Sequence, residues 1–558
     1  MVHGRAPQRG SSSSPPSSAG VPPSARGAGL QPRPADQRAA SRLLSGDFFG
    51  LGGRPVEVQV DVSRRGHPGF HIVGLASKSI RESRERIRAA IRNSQFRFPH
   101  KDYVIVNLAP AAEQKDGAGF DLAIALGILL ATRQVRCAGG TSGALRVGFL
   151  GELGLAGEVR PVAGGLLVAD ALRTRGVETF VTATGNAAEA ALVRGLEVLP
   201  VEKLSAAAAA LNDPAGAVVQ QLRESHGSPP RSEDAPVASQ LDFSEVKGQE
   251  TTKRGLLVSA AGEHNAMLVG PPGVGKTMLV KRLSGILPEM SYEEAIEVTR
   301  ILSVDCKGGG GTLAVERPFR APHHTISYAG LVGGGTIPRP GEITRAHRGV
   351  LFLDELAEFL RRPLEALREP LEEGRITISR GSGTVTYPTV VLLVAAMNPC
   401  PCGFWGHPTR RCECSPGAIR AYRGRLSGPL LDRLDLFLDV EPVPPGEILR
   451  QRRGDGPASA ELRQKVGAGR RRQGERWGSA LTNARVPLSR LLAEGLFGPP
   501  ALDLLRSNAE SLGLSARGFA RTLRVARTIA DLEACEQVAE AHVLEALHYR
   551  DPLRGSAV

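Results

Sequence analysis

The stretch MLVGPPGVGKTMLVKRL, Met267 to Leu283, is an apolar run that breaks into glycines, a lysine and a threonine and then resumes with helical spacing. Gly270, Gly275, Lys276 and Thr277 fit the pattern G-x-x-x-x-G-K-[ST]. The strand-like NAMLVG stands before it and the helix-forming TMLVKRLSGIL after it. Glycines let the backbone turn tightly enough for N–H groups to face phosphate oxygens. The loop Gly270, Pro271, Pro272, Gly273, Val274, Gly275, Lys276 and Thr277 is therefore expected to cradle a nucleoside triphosphate. Lys276 would neutralise the β- and γ-phosphates, and Thr277 would offer its hydroxyl to Mg2+. The alternative, an ordinary glycine-rich turn, does not explain why both flanks fit.

Two further stretches complete such a site. GVLFLDEL (349–356) is an apolar strand that ends in two acids about 77 positions beyond Thr277. Asp354 at its tip is placed to hold Mg2+ through water, and Glu355 to polarise an attacking water. VVLLVAAMNPC (390–400) reads as another buried strand, ending at Asn398. An amide there can position the same water; the plainer reading is a turn cap before Pro399.

The 558 residues carry a formal charge of +13, with 41% apolar and 4% aromatic residues. That apolar fraction builds real cores, and the positive balance favours a polyanionic partner such as nucleic acid. No apolar run approaches the ~20 residues of a membrane span. The Ser/Pro-rich N-terminus carries no apolar signal-peptide core, so a cytoplasmic protein is expected. Residues 1–42 read as a disordered tail. A first folded region, 43–211, alternates element types: VEVQVDVS as a strand, SIRESRERIRAAIRNS as a helix with Ile80, Ile87 and Ile91 on one face, and FDLAIALGILLA as a buried helix. The proline-broken stretch 212–240 reads as a linker, 241–445 as the nucleotide-binding domain and 446–558 as helical. The last part includes a dense basic segment around Arg470–Arg472, a second candidate DNA contact.

Taken together, LFLDEL, AAMNPC, LSGPLLDRLDL (426–436), RPFRAPHHTIS (317–327) and GEITRAHRGVLFLDEL (341–356) resemble the magnesium-chelatase-like branch of AAA+ ATPases. FHIVGLASKSIRESRERIRAAIRNSQF (70–96) and KDGAGFDLAIALGIL (115–129) narrow the resemblance to the YifB/ComM type, from about Phe48 to Tyr549. The resemblance implies an α/β multidomain chain. It would comprise a Lon-like (ribosomal S5 domain 2-like) α+β N-terminal domain, a P-loop AAA+ core and a C-terminal helical lid. It implies that Arg433 is an arginine finger acting on a neighbouring subunit's nucleotide, and that Arg517 is the lid arginine called sensor 2. It also implies a self-assembled ring, a hexamer, and a DNA helicase that drives branch migration. The alternating GRITISRGSGTVTYPTV (374–390) reads as a hairpin. Its Arg375 and Arg380 are placed to touch DNA phosphates. A ring ATPase that remodels a protein partner, as chelatase motor subunits do, is the competing expectation.

QKDGAGFD (114–121) resembles the nucleophile turn of Lon-type proteases, but Gly119 stands at the serine position and Leu166 near the lysine position. The first domain is thus expected to be a scaffold without a dyad. Four of the seven cysteines, Cys400, Cys402, Cys412 and Cys414, lie in CPCGFWGHPTRRCEC. Four thiolates in two close pairs fit tetrahedral Zn2+. Replacement of one thiolate by His407, an iron–sulfur cluster and free thiols stay open at this point. His323 and His324, as strand neighbours, are expected to point apart.

Overall fold

A parallel sheet buried on both faces needs strands that are apolar throughout, and three segments of this chain meet that demand. Every residue of Ala266–Val269, Val350–Leu353 and Leu392–Met397 is buried. The computed structural model describes residues 39–558 apart from 65–66, 76, 112–114, 139, 226–240, 306–312, 336–337, 382, 445, 447–456, 479–480, 494 and 551–558. Residues 1–38 of the tail expected over 1–42, and residues 226–240 of the expected linker, lie outside the described residues. Residues 39–558 form one compact unit.

The N-terminal part is built on seven strands: β1 (Ala39–Phe49), β2 (Gly52–Ser63), β3 (Gly69–Val73), β4 (Tyr103–Ala109), β5 (Val147–Leu150), β6 (Thr179–Ala183) and β7 (Glu197–Val201), in the order β3-β4-β2-β1-β5-β6-β7. β1–β2 and β2–β4 pair antiparallel, and the other neighbours pair parallel. The expected helix runs Lys78–Asn93, with Ser77 capping its start and Ile80, Ile87 and Ile91 at most 1% exposed. Its partner Asp121–Ala131 is almost wholly buried. Gly119 stands where a side chain would meet Leu150 Cδ1 at 2.9 Å, and Leu166 is buried in an apolar cluster.

Two boundaries differ from the sequence reading. β1 begins at Ala39, four positions inside the stretch read as tail, because it pairs along its whole length with β2. The stretch read as linker contains the helix Ala217–Ser225. Val219 and, three positions on, Leu222 pack on the first core, which rewards helix formation despite the polar surroundings.

The second sheet is fully parallel, with β8 (Ala266–Val269), β9 (Phe319–Arg320), β10 (Val350–Leu353), β13 (Leu392–Met397) and β14 (Leu436–Asp439) in the order β9-β10-β13-β8-β14. Between β10 and β13 stands an antiparallel hairpin of β11 (Arg375–Arg380) and β12 (Gly383–Pro388). Its Ile376, Ile378, Val385 and Tyr387 join the core on one side of the sheet, where Phe49 at the end of β1 and Leu51 in the turn to β2 also pack. The opposite side is covered by C-terminal helices, including Ser459–Trp477, Ala516–Leu532 and Glu540–His548, which share one apolar core with the sheet. The expected lid is therefore helical but has no core separate from the sheet's.

That joint is also electrostatic, and here the basic segment departs from expectation. Arg470 gives two guanidinium N–H groups to Ala260 O and a third to Glu263 Oε1 at 2.7 Å. Arg472 donates to Asp531 O. Arg470 and Arg472 thus tie Ser459–Trp477 to the end of the helix Glu250–Gly262 and to the helix Ala516–Leu532, and only Arg471 of the three is exposed. Burial opposes ionisation of Glu263, but the guanidinium groups of Arg470, Arg485 and Arg317 outweigh it and pull the carboxyl down to about 2. The gap below the ordinary 4.5 corresponds to about 3 kcal/mol of stability at neutral pH. Because the folded value is the lower one, that stability is present above pH 4.5 and is lost as pH falls toward 2. Glu263→Gln should thus lower the denaturation midpoint at pH 7, and the difference from wild type should shrink steadily in denaturation series taken from pH 5 to pH 3. A difference independent of pH would mean that Glu263 acts by packing alone.

Candidate nucleotide site

The order of the second sheet brings three strand ends together. β8 runs beside β13, with Val269 opposite Met397, and β13 runs beside β10. The loop after β8, Asn398 after β13 and the acids after β10 therefore meet at the carboxyl edge of one parallel sheet, where open α/β folds bind ligands. The chain leaves β8 through the turn at Pro271–Gly275. Gly275 has φ +93°, a conformation that a side chain disfavours, and the helix Lys276–Leu283 starts directly after it.

Lys276 Nζ donates to Gly270 O at 2.6 Å, Pro271 O at 2.8 Å and Asn398 Oδ1 at 3.0 Å. Thr277 Oγ1 donates to Asp354 Oδ2 at 2.6 Å. Six residues expected from sequence, Gly270, Pro271, Lys276, Thr277, Asp354 and Asn398, thus form two adjoining hydrogen-bonded groups. Burial pushes Lys276 down to about 8, against the pull of Asp354 and Glu355. An anion beside the ammonium would reverse that loss, so the donor set fits a polyphosphate. The Thr277 hydroxyl and the Asp354 carboxylate, both hard oxygen ligands on one side of the loop, fit Mg2+.

Glu355 occupies the left-handed region, with φ +52°, at the turn out of β10. Such a conformation costs a non-glycine residue about 1 kcal/mol or more. Its carboxylate is 60% exposed and lies 3.4 Å from His324 Nδ1. Sequence reasoning missed this neighbour. His323 and His324 sit in a turn instead of a strand, and their rings lie 4.1 Å apart instead of pointing away from each other.

Arg433 and Arg517 do not join this constellation. Both line a second cleft of 660 Å³, together with Glu263, Arg485, Arg521 and Arg524. Among the described residues, no residue lines both this cleft and the one beside the phosphate loop. The Arg433 guanidinium is held by Arg368 O, Pro429 O and the Glu372 carboxylate. Arg517 is exposed in the first turn of Ala516–Leu532, whose start is capped by Ser515.

The four cysteines converge. The sulfurs of Cys400, Cys402 and Cys412 lie 3.4–3.6 Å apart, and all four lie within 4.8 Å of one another. Thiolates about 2.3 Å from a tetrahedral ion stand roughly 3.8 Å apart, so the set can hold a metal. His407 is not in the set; its Nδ1 accepts from the backbone of Thr409 and Arg410.

Comparison with known proteins agrees with this geometry. Residues 242–448 match the family model "Magnesium chelatase, subunit ChlI", residues 56–186 match "Subunit ChlI of Mg-chelatase" and residues 456–550 match its C-terminal model. The chain is 41% identical over 503 residues to the uncharacterized protein YifB of Escherichia coli K12, covering 90% of this chain and 95% of that one. It is 41% identical over 502 residues to the competence protein ComM of Haemophilus influenzae, covering 89% and 95%. A shorter likeness, 29% over 150 residues, links it to Lon protease 2 of Bacillus subtilis, covering 25% of this chain and 27% of that one. No described helix is long and apolar enough to cross a membrane. With the phosphate loop, the paired acids and the parallel sheet on one side and near-full-length identity on the other, the chain belongs to the YifB/ComM-type magnesium-chelatase-like family of AAA+ ATPases.

Proposed function

We propose that this protein is an ATP-driven ring motor that acts on DNA. The observation that carries the ATPase part is the constellation Lys276–Asn398 and Thr277–Asp354, assembled from three strand ends. Thr277 and Asp354 would hold Mg2+, which would supply charge neutralisation to the β- and γ-phosphates. Lys276 binds the phosphates, Asn398 holds the ammonium in line, and Glu355 orients and deprotonates the lytic water. Arg433 and Arg517, which share a cleft away from this site, serve the nucleotide of a neighbouring subunit, so the working form is a ring, a hexamer in our reading. The sheet layout fits three functional parts: a Lon-like scaffold over 39–225, the ATPase core over 241–445 and the helical lid over 446–558. Cys400, Cys402, Cys412 and Cys414 would hold Zn2+ as a structural ion.

Removing Lys276 should weaken nucleotide binding about a hundredfold, the effect of deleting one partner of a desolvated charge pair. Calorimetric titration of Lys276→Ala with a non-hydrolysable ATP analogue reads this directly. Unchanged affinity would remove the phosphate loop from the site.

The DNA part rests on the hairpin. Thr377, Ser379, Thr384 and Thr386 form its exposed polar face, and Arg375 and Arg380 stand at its two ends. Arg375 is 66% exposed even while paired with Glu373. The kinship with a protein named for competence agrees with DNA as the load. The test is ATP turnover with single-stranded, duplex and branched DNA at two salt concentrations. Turnover should rise with DNA at low salt and lose that response steeply as salt increases. Arg375→Ala/Arg380→Ala should lessen the stimulation and flatten the salt dependence by about one slope unit per lost phosphate contact. Indifference to every DNA, with stimulation by a protein from the same cell, would favour the protein-remodelling alternative.

A further inference from the structure

We propose that the four-cysteine loop is a metal-braced wall of the nucleotide cleft, and that metal loading sets the affinity for the base and ribose half of the nucleotide. The inference rests on the nucleotide site described above. Beside the phosphate loop opens a cleft of 620 Å³. Its lining includes Val246, Gly275, Leu279 and Val443. Phe404, His407, Thr409 and Arg410 also line it, all within the segment between Cys402 and Cys412. With phosphates at Gly275–Thr277, the nucleoside must extend from the loop into adjoining space. This partly apolar cleft suits a flat base.

Three observations tie that wall to the cysteines. First, Gly403 follows directly after Cys402 and lies against the phosphate loop: a Cβ at 403 would stand 2.5 Å from Pro272 Cδ, and φ is +84°. The contact and the backbone both call for glycine here. Second, backbone N–H groups point at two of the sulfurs, Trp405 N to Cys400 Sγ at 3.3 Å and Cys402 N to Cys414 Sγ at 3.4 Å. Such donors stabilise thiolates as metal ligands. Third, the cleft-lining side chains brace one another: Arg410 lies over the Phe404 ring at 5.2 Å, and Phe404 meets His407 edge-on at 5.6 Å. A short loop with few apolar anchors of its own depends on its cross-link for shape, so removing the ion would release Phe404 and Arg410 from the cleft.

The test uses the full chain. Metal analysis of protein purified without added zinc should find about one tightly held ion per chain, released by a mercurial thiol reagent. Affinities for an unhydrolysable ATP analogue and for inorganic tripolyphosphate, both with Mg2+, are then compared by calorimetry. Cys412→Ser/Cys414→Ser should lose the ion and bind the ATP analogue about tenfold more weakly, the scale of one lost base–aromatic contact. Its affinity for tripolyphosphate should not change. Because the cysteine variant can misfold, Phe404→Ala/Arg410→Ala provides a second reading. It should keep the ion and show the same selective loss for the nucleotide. A chain without tightly held metal, an equal loss for both ligands, or no loss for the nucleotide in either variant would each overturn the proposal. If wild-type protein bound neither ligand, the nucleotide site itself would be at fault.

Discussion

Arg433→Ala should lower the ATP turnover of assembled rings by about a thousandfold or more, the scale on which an arginine finger contributes. Nucleotide affinity of the same variant should hardly change, because Arg433 lines a cleft that shares no described residue with the phosphate-loop cleft. The competing reading is a purely structural role, since the guanidinium is held by two carbonyls and by Glu372 of its own chain. Mixing separates the two readings. A ring combining Arg433→Ala with Lys276→Ala subunits contains interfaces at which an intact site faces an intact finger. Two inactive variants should therefore regain part of the wild-type turnover when mixed. Co-purification of differently tagged subunits without any regained turnover would show that Arg433 does not act across the interface. Arg517, in the same cleft, should behave in the same way in the mixing experiment, with a smaller individual loss.

The second large effect is expected from Glu355→Gln. The substitution keeps size and hydrogen-bonding shape but removes the base, so turnover should fall by about 10²- to 10⁴-fold. Nucleotide affinity should stay near that of the wild type, because Lys276, Thr277 and Asp354 form their hydrogen bonds without Glu355. Single-turnover measurement of a pre-bound ring reads the chemical step without interference from product release. Near-normal turnover would identify another base. His324, 3.4 Å from the carboxylate, would then be the residue to substitute next.

Much of this was legible along the chain because it depends on neighbours a few positions apart. The glycine spacing before Lys276, the apolar run into Asp354 and Glu355, the alternation in 375–388 and the clustered cysteines are each local patterns, and each appears in the fold where the pattern put it. Local pattern misled where a segment's use depends on a distant partner. The stretch 217–225 looks like linker until Val219 meets a core contributed by other strands and helices. Arg470 and Arg472 look like a nucleic-acid contact until Ala260, Glu263 and Asp531 claim them. For the arginines the deciding hydrogen bonds span 59 to 210 positions; for 217–225 the deciding energy is burial against the strand Glu197–Val201 and the helix Leu204–Asn212, which the polar composition of the segment itself does not reveal.

By itself, then, the sequence determined the chemistry available: a loop for phosphates, acids and an amide at strand ends, arginines for developing charge and sulfurs for a metal. Only the tertiary structure decided which of these groups meet. Strand order in the parallel sheet joins Lys276 to Asn398, 122 positions away, and Thr277 to Asp354, 77 away. The same packing puts Arg433 and Arg517 in a different cleft and seats the cysteine loop on the phosphate loop. The physical reason is that a parallel sheet takes its neighbours through long crossovers, so proximity at its carboxyl edge is set by packing of buried faces and not by distance along the chain.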